Sequence, residues 1–150
     1  SPDNFIDNST YKELSQKVET GDILFTKDGK IAEVAMVTKS DKAVYQSGIT
    51  IIRINDFGKS IGLTQEYIFT ALICNKIGKY TADRYTVTAS TIPHLKEHYI
   101  REMKIPVLDE AVISKITKLI KQAFVCVEKK KVLIQDCKNM IDDITGKYFI

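Results

Sequence analysis

The spacing of apolar residues predicts one very long helix in the last third of the chain. Over residues 109–145, apolar side chains recur every three or four positions, which is the period of one helix face. A helix of this length would reach roughly 50 Å, further than a domain of about 100 residues can cover. We therefore predict that it pairs with another helix. The predicted pairing positions are Ile113, Ile116, Ile120, Ala123, Val127, Lys130, Ile134, Cys137, Ile141 and Ile144.

A second row of apolar residues makes the apolar face of this helix broader. Its members lie beside the first row at Val112, Leu119, Cys126, Leu133 and Met140. The simplest partner is a second copy of the chain running antiparallel, because a parallel copy would place Lys130 against itself. Much of the helical charge is expected on a solvated face, which includes Lys115, Lys118, Lys129 and Lys131.

Residues 1–108 show a mixed pattern with frequent turns. Branched and aromatic residues predict three strands, at residues 23–26, around Ile31, Val34 and Met36, and at residues 49–54, with a hairpin-type turn at Asp28 and Gly29 between the first two. Thr64 is a helix N-cap candidate, so residues 65–77 should form a helix that Gly78 closes. Residues 78–90 are expected to form an exposed loop or edge hairpin. Residues 95–101 should form a helical turn, and residues 104–108 an extended segment before the long helix.

These elements indicate an α+β fold. We expect a small mixed domain of hairpins and helices at residues 1–108, a long C-terminal coiled-coil helix at residues 109–145 and a tail at residues 146–150. With 44% apolar and 27% charged residues, the chain can bury a core as one globular domain.

Composition and motifs bear on where the protein is located and on which ligands it can bind. The chain has no apolar run of membrane-spanning length, and its N-terminus lacks the pattern of a signal peptide, so we expect a cytoplasmic protein without a membrane partner. The spacings of Cys74, Cys126 and Cys137 match no zinc or redox motif, so no metal is expected and the thiols should be reduced and buried in helices. The net charge of +3 permits a polyanionic partner without requiring one.

Several motifs resemble one family when they are taken in order. The chain has GDILFT at residues 21–26, DGKI at 28–31 and AMV at 35–37, which resemble the hairpin "GDIL(F/L)T-x-x-G-x-I-G-x-x-A-x-V" of target recognition domains in type I restriction-modification specificity subunits. Further along, QEYI at 65–68, ASTIPHL at 89–95 and KIPVL at 104–108 resemble the family's "P-x-Y-L", "G-S-T-x-x-x-L" and "I-x-I-P-x-P". The resemblance covers roughly residues 15–145. Because only twenty residues precede Gly21, the chain resembles the C-terminal portion of such a domain, and Ala32 stands where the family often has glycine.

The resemblance implies DNA recognition without catalysis. In this family the mixed domain reads one half of a bipartite duplex DNA site, and long helices join it to a second recognition domain. The implied partners are double-stranded DNA, a methyltransferase domain or subunit, and a second recognition domain or a second copy through the long helix. No cofactor is expected, because the chain has neither a glycine-rich nucleotide fingerprint nor the Asn-Pro-Pro-aromatic loop of amino-methyltransferases.

Candidate DNA contacts come from the polar loops, because base edges and phosphates are bound by polar and basic side chains. On the hairpin tip, residues 27–30, the candidates are Lys27, Asp28 and Lys30. In and after the predicted loop they are Lys79, Arg84, Tyr85, Thr88, Ser90, Thr91 and His94.

Two other classes of function compete with this interpretation. A papain-like cysteine hydrolase could also begin with a GDIL hairpin, but the strand after the turn offers Glu33 and Val34 where such an enzyme needs histidine. A coiled-coil interaction module without DNA binding is the stronger alternative, and the salt dependence of duplex binding separates it from a DNA reader.

Overall fold

The computed structural model describes residues 5–15, 17–87 and 92–148, and the side chains among these up to residue 146. Its elements, in chain order, are α1 (Asn8–Glu13), β1 (Ile23–Thr26), β2 (Val34–Met36), β3 (Ile49–Ile52), α2 (Asp56–Ser60), α3 (Gln65–Ile73), a π-helical turn (Asn75–Lys79), α4 (Tyr80–Tyr85), α5 (Glu97–Arg101) and α6 (Glu110–Tyr148). This arrangement confirms the predicted α+β class with a long C-terminal helix. No helix in the described ranges is both long and apolar enough to cross a membrane.

The described strands form one antiparallel sheet in which β1 lies between β2 and β3. Its register places Ile23 opposite Met36 on one side and Ile52 on the other. Successive residues of a strand point to opposite faces, and in β1 Ile23 and Phe25 are fully buried. Helices cover this face with Leu72, Ala82 and Ile100, and Leu95, in the segment before α5, completes this core cluster.

The connection between β1 and β2 is longer than the two-residue turn predicted at Asp28 and Gly29. Residues 27–33 form it, so Ile31 lies in the loop and not in the second strand. The loop turns twice through the left-handed region, at Gly29 with φ of 71° and at Ala32 with φ of 61°. Side chains disfavour that region, because the Cβ atom approaches the following carbonyl oxygen. Ala32, the position where the resembling family often has glycine, therefore carries backbone strain.

An ion pair fixes the sheet at the start of β1. The Asp22 carboxylate is 3% exposed, and Arg53 donates to it from Nε at 2.5 Å and from Nη2 at 2.9 Å. The backbone N–H of Glu19 donates to the same carboxylate at 2.7 Å. Hydrogen bonding from Arg53 holds the pKa of Asp22 below its ordinary value. Because Arg53 follows β3, this pair ties the beginning of β1 to the end of its neighbouring strand.

Gly78 does not end the helix that Thr64 begins. The Thr64 hydroxyl caps α3 as predicted, by accepting from the backbone N–H of Tyr67 at 3.1 Å, but α3 stops at Ile73. Gly78 is buried inside the π-helical turn, where an added Cβ would lie 1.9 Å from the carbonyl oxygen of Leu72. Glycine is therefore required here by a close backbone approach, not by a helix end. The prediction of an exposed loop at residues 78–90 is wrong for residues 80–85, which form α4.

The long helix extends beyond the predicted range. It runs from Glu110 to Tyr148, so the region expected to be a tail from residue 146 continues the helix as far as the described residues reach. At 1.5 Å per residue its 39 residues span about 58 Å.

The first half of α6 packs against the chain's own domain. Ile113 is 2% exposed. The Thr117 and Thr64 hydroxyls share a hydrogen bond of 2.6 Å, and the Phe124 ring meets Phe69 edge to face with 5.5 Å between centroids. The expectation that Ile113 pairs with another helix is therefore corrected. This position lies on the helix face that α3 covers.

A polar cluster fixes α6 one turn further along. The Thr38 hydroxyl donates to Glu128 at 2.8 Å, and the Lys131 ammonium donates to Asp41 at 3.1 Å and to Glu128 at 2.8 Å. Lys131, predicted on a solvated face, thus contacts the turn after β2. We call the face formed by Ile113, Thr117, Ile120, Phe124, Glu128 and Lys131 the docking stripe.

The remaining apolar residues of α6 are largely uncovered. Ile116 and Ile120 are half-buried, whereas Val127, Ile134 and Ile141 are 43%, 46% and 61% exposed. The expectation that the cysteines are buried is wrong, because Cys74, Cys126 and Cys137 are all exposed, although Cys126 and Cys137 do lie in a helix. Cys74 is the C-cap residue of α3 and has an extended backbone conformation. Cys126 and Cys137 lie on α6, on the side away from the docking stripe. Among the residues that the structure describes, Val127, Ile134 and Ile141 therefore stay exposed.

We expect Ala32→Gly to stabilise the fold by about 0.5–1 kcal/mol, because it relieves the left-handed strain of an alanine. The matched control is Ala35→Gly, in the extended backbone of β2, where glycine should cost about 0.5–1 kcal/mol instead. Urea unfolding of both variants measures the two changes. Destabilisation by both substitutions would contradict a strained Ala32.

We expect Asp22→Asn to destabilise the fold by about 1–3 kcal/mol at neutral pH, because the buried acceptor loses its charge beside Arg53. A carboxyl with a lowered folded-state pKa contributes stability above its unfolded pKa of about 3.9, and loses it as the pH falls through the folded value. The difference in unfolding free energy between wild type and variant should therefore shrink below about pH 4. The control Asp56→Asn removes an exposed pair with Lys59 and should change little. A pH-independent difference at Asp22 would argue against the ion pair.

Candidate nucleic-acid interface

The structure joins the hairpin tip to the segment that precedes α5. The backbone N–H of Gly29 donates to the carbonyl of Pro93 at 3.0 Å, and the N–H of Leu95 donates to the carbonyl of Lys27 at 2.8 Å. Leu95 is fully buried in the core beneath this junction. Two stretches separated by more than sixty residues in sequence thus form one polar edge. Their relative position is fixed by backbone hydrogen bonds and by an anchored leucine.

His94 is the central side chain of this edge. Its Nδ1 forms a hydrogen bond with the Asp28 carboxylate, and both side chains stay substantially exposed, at 51% and 36%. Its backbone pairs with Val87 in both directions, at 3.0 and 3.1 Å. Asp28 also packs against Gly48, where an added Cβ would lie 3.3 Å from the carboxylate. The Asp28 and His94 pair therefore presents an acceptor and an imidazole to solvent from a rigid backbone.

Planar side chains stack beside the edge, between the end of α4 and α5. The Tyr85 and Tyr99 rings are nearly parallel, with 4.5 Å between centroids, and the His98 ring lies 3.9 Å from Tyr99. The Arg84 guanidinium lies over the Tyr85 ring at 5.5 Å. The contacts with Tyr99 and Arg84 hold Tyr85 in place while its ring remains about one-third exposed. Sequence reasoning missed His98 and Tyr99, because a five-residue helix gives too short a pattern to assign a face.

The positive charge of the interface is modest. The Lys27 ammonium lies 4.0 Å from Glu97, and Lys30 lies 3.2 Å from Glu33. Hydrogen bonding from Arg101 holds the pKa of Glu97 below its ordinary value, so this carboxylate stays ionised at neutral pH. The Lys30 pair is exposed and weak, so a phosphate can compete for this lysine, whereas the Lys27 side chain is only 20% exposed and is less accessible.

The predicted contact residues divide into three groups. Lys27, Asp28, Lys30 and His94 come together at the edge, and Arg84 and Tyr85 lie next to it through Val87. Lys79 is exposed at the opposite end of α4. The remaining candidates, Thr88, Ser90 and Thr91, lie outside the described residues.

This edge and the long helix occupy opposite ends of the first hairpin. The docking stripe of α6 contacts the turn at Thr38 and Asp41, beyond the end of β2, and lies near Gly21, where β1 is about to begin. The hairpin tip follows β1 at its other end. At about 3.3 Å per residue, these two regions lie roughly 20 Å apart along the hairpin. A ligand at the edge is therefore well separated from the part of α6 around Phe124 and Lys131.

Comparison with known protein families finds no family model that matches the chain, and comparison with curated proteins finds no significant match.

Proposed function

We propose that the chain is part of a DNA target recognition domain, which reads one half of a bipartite duplex site for a restriction-modification system. The observation that carries the proposal is the junction of the hairpin tip with residues 92–95. Both stretches belong to motifs that resemble specificity subunits, and their polar side chains meet on one exposed, rigid edge. Sequence readout needs such an edge, since donors and acceptors must be held in fixed positions against base edges.

Each side chain of the edge suits a different part of the duplex. The Asp28 carboxylate can accept a hydrogen bond from a cytosine amino group, and the His94 imidazole offers a further polar contact. Lys27, Lys30 and Arg84 carry no base information themselves but can neutralise phosphates and set the orientation of the domain. We assign base reading to the first pair and phosphate binding to the three cations.

Catalysis is assigned to another domain or subunit. The chain would act as the non-catalytic specificity component beside a DNA methyltransferase, and α6 would connect it to a second recognition unit. The strongest alternative is an interaction module without DNA binding, which the exposed apolar residues of α6 favour. Binding to duplex DNA distinguishes the two.

We expect the full chain to select a preferred half-site from a random-sequence duplex library at low salt. Arg84→Ala and Lys30→Ala should each weaken binding, because each removes a cation that neutralises a phosphate. Each should also reduce the slope of log affinity against log salt by about one unit. Asp28→Ala should instead relax preference at one base pair by about 1–3 kcal/mol with little change in slope.

The control is Lys118→Ala, which removes an exposed cation on α6. It should leave both affinity and salt slope unchanged. Equal decreases in affinity for the variants at residues 84 and 118 would mean that binding follows net charge and not the edge. A wild-type chain that dimerises but binds no duplex at low salt would support the interaction module.

A further inference from the structure

Docking of α6 on its own domain leaves a second, regular apolar face on the helix. The docking stripe buries Ile113 and half-buries Phe124. The face that remains follows a strict alternation of four and three residues across 33 positions, at Val112, Ile116, Leu119, Ala123, Cys126, Lys130, Leu133, Cys137, Met140 and Ile144. We call these positions the free seam. This is the heptad spacing of a coiled coil, sustained over more than four repeats.

The free seam is exposed along nearly its whole length. Leu119, Leu133, Met140 and Ile144 are each 54–64% exposed, and both thiols on it are exposed as well. Apolar side chains repeating at this spacing cover about 48 Å of helix, a larger continuous patch than monomeric proteins usually leave in water. The seam requires a helix of matching length as its partner.

We propose that the partner is a second copy of α6, running antiparallel, with the two-fold axis passing between residues 131 and 132. Heptad geometry allows three antiparallel registers with the two-fold axis between residues 127 and 136, and the charges beside the seam select one of these three. On one side of the seam the flanking positions are Lys115, Gln122, Lys129, Asp136 and Asp143, basic in the first half of the helix and acidic in the second. On the other side they are apolar, at Ile113, Ile120, Val127, Ile134 and Ile141. Flanking charges of this kind set orientation and register in coiled coils.

In the chosen register every facing pair of flanking residues is compatible. Lys129 lies opposite Asp136 of the partner subunit, and Gln122 lies opposite Asp143 of the partner subunit. Moving the axis by half a heptad toward the N-terminus places Lys129 against its own copy. Moving it the same distance toward the C-terminus places Asp136 against its own copy. A parallel pair stacks Lys130 on itself, so each alternative puts like charges face to face.

The same register gives apolar layers along the seam. Leu119 packs on Ile144 of the partner subunit, Ala123 on Met140 of the partner subunit, and Cys126 lies level with Cys137 of the partner subunit. Lys130 adjoins Leu133 of the partner subunit, where its aliphatic stem can cover the leucine while its ammonium reaches water. The overlap spans about 26 residues, or about 39 Å.

The thiols test the register directly. In a Cys74→Ser background, oxidation by copper phenanthroline should link Cys126 to Cys137 of the partner subunit, and peptide mapping should identify this mixed pair. Adding Cys126→Ser or Cys137→Ser should abolish the link, because the remaining thiol has no thiol opposite it. A dimer linked through two copies of the same cysteine would establish parallel pairing and overturn the proposal.

Charge exchange provides a test that needs no crosslink. Lys129→Asp should weaken the dimer roughly tenfold, since two symmetry-related pairs become repulsive, and adding Asp136→Lys should restore it. The control Lys118→Asp, outside the seam, should leave the dimer intact. Sedimentation of the full chain measures all three. A strict monomer at high concentration, or failure of the double variant to recover, would contradict the pairing, whereas absence of duplex binding alone would contradict only the proposed function.

Discussion

The contact between α6 and its own domain determines which surfaces of the chain remain available to a partner. The helix is about 58 Å long, and the domain covers it only from Ile113 to Lys131. Thr117 and Phe124 fix its rotation against α3, and Lys131 fixes it against the turn after β2. Once that rotation is set, the opposite apolar face must point away from the domain. One intramolecular contact therefore specifies which side chains remain for a partner.

The contact of α6 with its domain also keeps two surfaces of the molecule apart along the first hairpin. The helix packs beside one end of β1 and β2, and the polar edge of Asp28 and His94 lies at the other end. Backbone hydrogen bonds at Gly29 and Leu95 make the edge rigid, so a bound ligand would be held at a fixed distance from the helix. A paired α6 would then fix the separation between two such edges. This is the geometry that a reader of two half-sites with constant spacing needs.

Local patterns in the sequence are sufficient to predict much of the fold. The strand at residues 23–26, the cap at Thr64 and the long helix each depend on neighbouring residues, and the structure has all three. The role of Gly78 cannot be predicted in the same way. A close backbone approach to Leu72 and a helix end both favour glycine, and only the tertiary structure tells them apart.

The candidate site is harder to predict than the elements. Polar loop composition identifies Asp28 and His94 separately, but their contact joins distant parts of the chain and leaves no local signal. Which face of α6 the domain covers is equally hard to predict from the sequence. One apolar row gives Ile113 and Val127 the same predicted role, and only the packing of α6 on α3, with Phe124 against Phe69, shows that Ile113 is buried while Val127 stays exposed.

Amide hydrogen exchange of the full chain, with and without a random-sequence duplex at low salt, tests the central claim most directly. A reader that binds through the joined edge should gain protection at residues 27–30, 94 and 95, while exchange along Glu110–Tyr148 stays unchanged. Protection confined to α6, or no change anywhere despite bound duplex, would contradict the assignment of DNA recognition to this edge.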